Sequence, residues 1–198
     1  MGRSDEELIE ACRAGEASAF DVLVGRWEDK IRGACWRVLG SEDEARDVAQ
    51  EAFFKAYRAL SGFKQEARFS SWLYQIAINL CRDRLRRRRT CAAVSLEELE
   101  ASGPVLVEPR AGAQEALIRE DLAGAVRRAI GGLPPEQREV VILKEYQGLT
   151  FLEIAQALEV PVSTVKTRLY RGLGQLRVRL ERQGIGNAAP VALPAQGS

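Results

Sequence analysis

Along "SEDEARDVAQEAFFKAYRAL", Ala45, Val48, Ala49, Ala52, Phe53, Ala56 and Leu60 recur at spacings of three and four, which places them on one helix face. The same period runs through most of the chain, and the two-residue alternation of a half-buried strand is nearly missing. An all-α fold is the expectation. Three stretches also carry a Ser/Thr-x-x-Glu helix start: Ser4 with Glu7, Ser41 with Glu44, and Thr150 with Glu153. In each, the hydroxyl can accept from an orphan first-turn amide while the carboxylate reaches back to the cap.

The period lapses after about residue 90, in "TCAAVSLEELEASGPVLVEPRAGAQEAL", where prolines, glycines and mainly acidic charges take over. It resumes near Ile118 and runs to about Arg182, before a tail, "GIGNAAPVALPAQGS", with the composition of disorder. The expected organisation is two small helical domains, 1–92 and 118–183, joined by a flexible linker, 93–117, and followed by a disordered tail, 184–198. An apolar content of 46% suffices for packed cores.

Composition removes several classes of function. There is no histidine, and Cys12, Cys35, Cys81 and Cys91 form no CxxC pair, so neither a zinc-ligand spacing nor a dense disulfide framework is present. Buried reduced thiols are the simpler expectation. The start "MGRSDEELIEACRAGE" has acids where a signal peptide needs an apolar core, and no apolar run approaches a membrane span. A cytoplasmic protein without membrane insertion is expected. With 29 basic against 28 acidic residues the net charge is +1, so binding to nucleic acid must come from local patches.

Such a patch occurs in "LTFLEIAQALEVPVSTVKTRLYRGL", residues 149–173. It reads as two short helices, and a helix-turn-helix follows if the small Ala155, beside Ile154 and Leu158, lets them cross closely. On the second helix Val165, Leu169, Gly172, Leu173 and Leu176 share the inner side, at about 100° per residue. Ser163, Thr167, Tyr170 and Arg171 lie opposite, flanked by Lys166 and Arg168. Short hydroxyls and an arginine at the centre can reach base edges in a major groove while flanking cations meet phosphates. Pro161 fits the second helix's first turn, where its missing N–H costs nothing. The competing reading is a plain helical hairpin with a solvated basic face. The turn "LEVP" keeps that reading open, because Glu159 stands where glycine is common.

In the first half, the helix of Ala45 to Leu60 presents Asp47, Gln50, Glu51, Phe54 and Arg58 opposite its apolar stripe. Phe54 cannot serve the same core as Phe53, so it touches a second element or awaits a protein partner. Then comes "SGFKQEARFSSWLYQIAINLCRDRLRRRRT", a loop and a helix starting near Ser71 with Leu73, Ile76, Ala77 and Leu80 inward and Gln75, Asn79, Arg82 and Arg86 outward. Its arginine run can release counterions from a phosphate backbone, and it also suits a helix C-terminus. Phe63, Lys64, Arg68 and Phe69 combine π-faces with charge, as surfaces for single-stranded nucleic acid do. Trp72 reads as a core anchor.

Together, "AFDVLVGRWEDKI…LGSEDEARDVAQEAFFKAYRAL…FSSWLYQIAINLCRDRLRRRR" and "LPPEQREVVILKEYQGLTFLEIAQALEVPVSTVKTRLYRGLGQLR" resemble the extracytoplasmic-function sigma factors of bacterial RNA polymerase, over roughly residues 5–90 and 118–182. The resemblance implies that Asp47, Gln50, Glu51 and Phe54 dock on core RNA polymerase. It implies that Phe63, Lys64, Arg68, Phe69, Ser70 and Asn79 read the promoter −10 element, where a base is flipped at a cost of a few kcal/mol. Arg82 and Arg86 would hold neighbouring phosphates. It further implies that Ser163, Thr164, Lys166, Thr167, Arg168 and Arg171 contact the −35 duplex, and that the acidic linker lies in the polymerase's active-site and RNA-exit path. The implied partners are core polymerase, promoter DNA and an anti-sigma factor, with no cofactor, no small-molecule substrate and no catalytic residue.

Two other classes stand against this. A dimeric helix-turn-helix regulator working without polymerase would need a sensory or dimerising first domain, where this chain has an aromatic-basic loop and an arginine-rich helix. A metal-dependent nuclease would use Asp43, Glu44, Asp47 and Glu51, but these share one helix and no second cluster completes a site.

Overall fold

The computed structural model describes residues 2–63, 68–94 and 114–185, with side chains described except at 89, 91–94 and 114–121. Every helix or strand assigned among them is a helix. The first half holds α1 (Asp5–Arg13), α2 (Ser18–Leu39), α3 (Glu42–Ala59), a 3₁₀ turn (Leu60–Gly62) and α4 (Phe69–Val94). The second half holds α5 (Gln114–Gly131), α6 (Pro135–Val141) running on into a π turn (Ile142–Tyr146), α7 (Phe151–Leu158) and α8 (Val162–Arg182).

All three sequence-marked starts cap their helices. Ser4 and Glu7 form a reciprocal capping box on α1, as do Thr150 and Glu153 on α7. Ser41 accepts the Glu44 amide at the head of α3. Each cap satisfies amides that a helix start leaves without partners and is worth about 1 kcal/mol. At the other end of α2, Gly40 turns left-handed at φ 75° and returns its amide to the Trp36 carbonyl, which closes the helix.

The stripe on α3 is buried as its period requires, and α3 packs between α2 and α4. On α4, Leu73, Ala77 and Leu80 are buried, Ile76 is half-buried, and Tyr74 and Ile78 join the core as well. This helix begins at Phe69, two residues before the expected start, and continues to Val94. The linker residues 95–113, and the tail beyond Ile185, lie outside the described residues.

In the second half α8 packs on α5, α6 and α7. The two halves also lie against each other, with α4 on α7 and α2 on α5, α6 and the π turn. Buried apolar side chains from both halves form one continuous cluster. That packing sets the surroundings of the candidate sites.

Candidate nucleic-acid interface

α7 buries Ile154, Ala155, Ala157 and Leu158. It ends at Glu159, which takes the left-handed conformation at φ 54°, ψ 45°. The Glu159 amide donates to the Gln156 carbonyl at 3.3 Å and the Val160 amide to the Ala155 carbonyl at 3.1 Å, a Schellman closure. The turn therefore has the geometry that glycine usually supplies, at the left-handed cost of about 1–2 kcal/mol for a residue with a β-carbon. Pro161 precedes the first residue of α8 as its cap, one position earlier than expected, and its carbonyl accepts from the Thr164 and Val165 amides.

Val165, Leu169, Gly172 and Leu176 are buried and Leu173 is half-buried, so the inner side of α8 is the one its period marks. A β-carbon at Gly172 would stand 2.9 Å from Val141 Cγ2, which shows how closely α6 and α8 cross. The outer side carries exposed Ser163, Lys166, Thr167, Tyr170 and Arg171, with Thr164 and Arg168 half-buried beside them. The Thr167 hydroxyl donates to the Ser163 carbonyl at 2.9 Å. Lys166 Nζ lies 5.5 Å from the Phe151 ring centroid, an interaction that ties its stem to α7. Among the described residues neither Arg168 nor Arg171 has an ion-pair partner.

On α3, Asp47 and Gln50 are exposed, and Glu51 is half-buried with Lys55 Nζ at 3.1 Å. Phe54 is 59% exposed: no second element among the described residues covers it, and its neighbour is the Arg58 guanidinium, 5.7 Å from the ring centroid. Tyr57, 49% exposed, extends the patch. Of the acids considered for a metal, Glu44 is gripped by Arg88 and Glu51 by Lys55, while Asp43 and Asp47 face solvent.

The surface preceding α4 differs from expectation. Phe63 and Phe69 are buried and pack with Trp72, at centroid distances of 4.7 Å for Phe63 and 6.0 Å for Phe69. The reading of these two rings as an open stacking surface is corrected: two phenylalanines flanking a short loop bury more apolar area against Trp72 than they could in water. Lys64 lies outside the described residues. Arg68 is exposed and donates to Glu153 Oε1 of α7 at 2.8 Å; Ser70 is half-buried.

Further along α4, Arg82 donates to both oxygens of Glu139 on α6, at 2.8 and 2.6 Å, and to exposed Asn79 at 3.2 Å. Hydrogen bonding to Glu139 pushes the Arg82 guanidinium up, against the opposing effect of burial. Burial pushes the Glu153 carboxyl up, but bonds from the Thr150 amide and hydroxyl and the charge of Arg68 outweigh it and hold it below the ordinary range. Arg86 pairs with Asp83 at 3.0 Å, and Arg88 joins Glu44 and the Leu39 carbonyl.

Residues 23–90 match the family Sigma-70 region 2, and residues 123–176 match Sigma-70, region 4. The chain is 37% identical over 171 residues to the RNA polymerase sigma-H factor of Pseudomonas aeruginosa, covering 84% of this chain and 89% of that one. It is 36% identical to the ECF RNA polymerase sigma factor SigW of Bacillus subtilis, over 88% of this chain and 96% of that one. The chain belongs to the extracytoplasmic-function sigma factors. The fold agrees: CnrH, solved in complex with the cytosolic domain of CnrY, superposes with a TM-score of 0.67 at 27% identity, over 88% of this chain and 96% of that one.

Cys35 and Cys81 are buried free thiols, and hydrogen bonding with Cys35 together with burial pushes the Cys81 thiol up. Cys12 is half-buried, also raised by burial, and the side chain of Cys91 is not described. Among the described residues no helix is long and apolar enough to cross a membrane.

Sequence reading missed Glu139, Tyr74 and Gln147. The Tyr74 hydroxyl donates to Gln147 Oε1 at 2.9 Å, between the halves. Glu139 did leave a signal: it shares a helix face with Ile142 and Leu143, an acid placed among inward positions.

Proposed function

We propose that this sigma factor binds core RNA polymerase through α3, reads the −10 element with the first turn of α4 and its arginines, and reads the −35 duplex with the outer face of α8. The observation that carries this reading is α8 itself. One exposed face gathers hydroxyls, a tyrosine and Arg171, which has no ion-pair partner among the described residues, and the capped, left-handed turn behind it sets its angle on α7. That arrangement is suited to lying in a major groove with side chains on base edges. Asp47, Gln50, Glu51 and Phe54 form a second uncovered face of opposite charge, fitted to a protein rather than to DNA.

The role is recruitment and strand opening, without a catalytic step of its own, in the cytoplasm where polymerase works. An anti-sigma factor is the third partner, in keeping with CnrH being solved with a protein bound. The test is co-elution with bacterial core polymerase and run-off transcription from genomic fragments. Discrete new start sites are expected, lost in Phe54→Ala and Asp47→Ala while duplex binding persists. Unchanged polymerase affinity in both variants removes the docking assignment, and a dimer binding a palindrome without polymerase removes the whole reading.

A further inference from the structure

Between the C-terminal end of α2 and the last turns of α5 runs a groove that the polymerase and promoter assignments leave unused. Its apolar end, about 510 Å³, is formed by Leu122, Val126 and Ile130 of α5 with Trp36 and Tyr146. Its polar end, about 640 Å³, opens beside Gly40 and Gly131 and is lined by Arg37, Arg127, Arg128 and Arg138. Trp36, Arg37 and Arg127 belong to both ends, so the two are continuous. Among the described residues no carboxylate lines either end.

The sequence explains why three of these guanidiniums lack an acid. A helical side chain meets the residues three and four places away. Within their helices these are Gly33 and Ala34 for Arg37, and Ala123, Gly124, Ala125, Ile130 and Gly131 for Arg127 and Arg128. Two of the guanidiniums fold back over glycines: a β-carbon at Gly33 would stand 3.0 Å from Arg37 Nη1, and one at Gly124 would stand 3.4 Å from Arg128 Nη1. Arg138 differs, because it holds the Val38 carbonyl at 3.0 Å and the Leu133 carbonyl at 3.1 Å. Rings and guanidiniums alternate along the groove. The Arg37 guanidinium lies 4.3 Å from the Tyr146 centroid and 5.6 Å from that of Trp36, and Arg127 lies 5.2 Å from Trp36. Such contacts orient a guanidinium without consuming its N–H groups. Tyr146 is still 41% exposed and Leu122 45%, which leaves a ring face and apolar surface open beside fixed cations.

We propose that this groove binds a nucleoside polyphosphate, with the base against Tyr146 and Leu122 and the phosphate chain on Arg37, Arg127 and Arg128. Three guanidiniums balance a chain of two or three phosphates, whereas a single phosphate, at up to about −2, would leave cationic charge over. The C-terminal ends of α2 and α5 oppose an anion with about half a negative charge each, which three full cations outweigh. A ring face beside guanidinium planes suits a nucleobase, which stacks on both, better than the carboxylates of an acidic peptide.

The test is equilibrium dialysis of the full chain with labelled ATP and GTP in EDTA, competed by inorganic triphosphate. Saturable binding is expected. Arg127→Ala combined with Arg128→Ala, both at exposed positions, is expected to weaken it at least ~10-fold through lost charge-assisted hydrogen bonds, with circular dichroism and urea midpoint unchanged. Tyr146→Leu, which keeps apolar bulk, is expected to weaken nucleotide binding about 5-fold or more while inorganic triphosphate binds as before. Arg171→Ala, on the outer face of α8, is expected to bind as the wild type does. Absence of saturable binding, or undiminished binding in the double variant, overturns the proposal. So does an equal loss in Arg171→Ala, which would make the ligand a polyanion spread over the basic faces. Unchanged nucleotide affinity in Tyr146→Leu reduces the groove to a polyphosphate site and overturns the place given to the base. Binding of a poly-glutamate peptide without binding of nucleotide gives the groove to a protein partner instead.

Discussion

α4 and α8 each carry a row of cationic and polar residues, but they hold them differently. On α8, Lys166 leans on Phe151 and Thr167 bonds its own helix, while Arg168 and Arg171 have no ion-pair partner among the described residues. On α4, Arg82, Arg86 and Arg88 each already have a carboxylate, and Phe63 and Phe69 beside them are buried. Similar composition therefore yields a presented face on α8 and a partly occupied one on α4, where Arg84 and exposed Arg87 have no ion-pair partner among the described residues. Whether a basic row is available for DNA depends on what the rest of the fold sets against it, which residue type does not reveal.

The presented face can be broken most severely from underneath. Leu169→Ala removes a buried side chain between α8 and its neighbours, and large-to-small changes of this kind cost about 2–5 kcal/mol. The expected outcome is a urea unfolding free energy lowered by that amount, read as a lower midpoint, and loss of duplex binding, with Phe54 still able to dock on polymerase. A loss under about 1 kcal/mol means that α8 is not anchored by this stripe. A smaller effect sharpens the same face without unfolding it: Arg171→Ala is expected to weaken binding to a −35 duplex by about 1–3 kcal/mol if it contacts a base. An equal loss on random duplex, with a reduced salt slope, demotes Arg171 to a phosphate contact.

Period and caps made the helices legible because both are local. Ala45 to Leu60 and Val165 to Leu176 face inward as their spacing requires, and Ser4, Ser41 and Thr150 each cap the helix they precede. Glu159 shows the limit of turn chemistry read by residue type: it adopts the left-handed conformation because the crossing of α7 and α8 demands it, and packing outweighs its preference. The outer face of α8 was legible for the same local reason. The burial of Phe63 and Phe69 was not, since whether an aromatic in a loop faces water depends on Trp72 and the elements around it. Nor was Arg82 with Glu139, whose partners are 57 residues apart in sequence. No spacing rule joins them.

The smallest expected effect lies where the occupied and presented regions meet, at Glu153. This carboxylate caps α7 through Thr150 and also receives Arg68 from the other half. Its folded-state pKa lies below the ordinary carboxylate value of about 4.3, so the native fold prefers it ionised. A depressed pKa contributes stability that is fully present above the unfolded value and is lost as pH falls through the folded one. The contribution is therefore complete at neutral pH and fades only below about pH 4.3. Arg68 is largely exposed, so solvent screens that pair, and the cap supplies most of an effect near 1 kcal/mol. Comparing wild type with Glu153→Gln by urea unfolding at neutral pH and again in acid reads this directly. The wild type's advantage should shrink as the carboxylate is protonated, and Arg68→Ala should leave most of it intact. An advantage that does not change with pH would place the role of Glu153 in packing, and would remove charge from the contact between the two halves at this point.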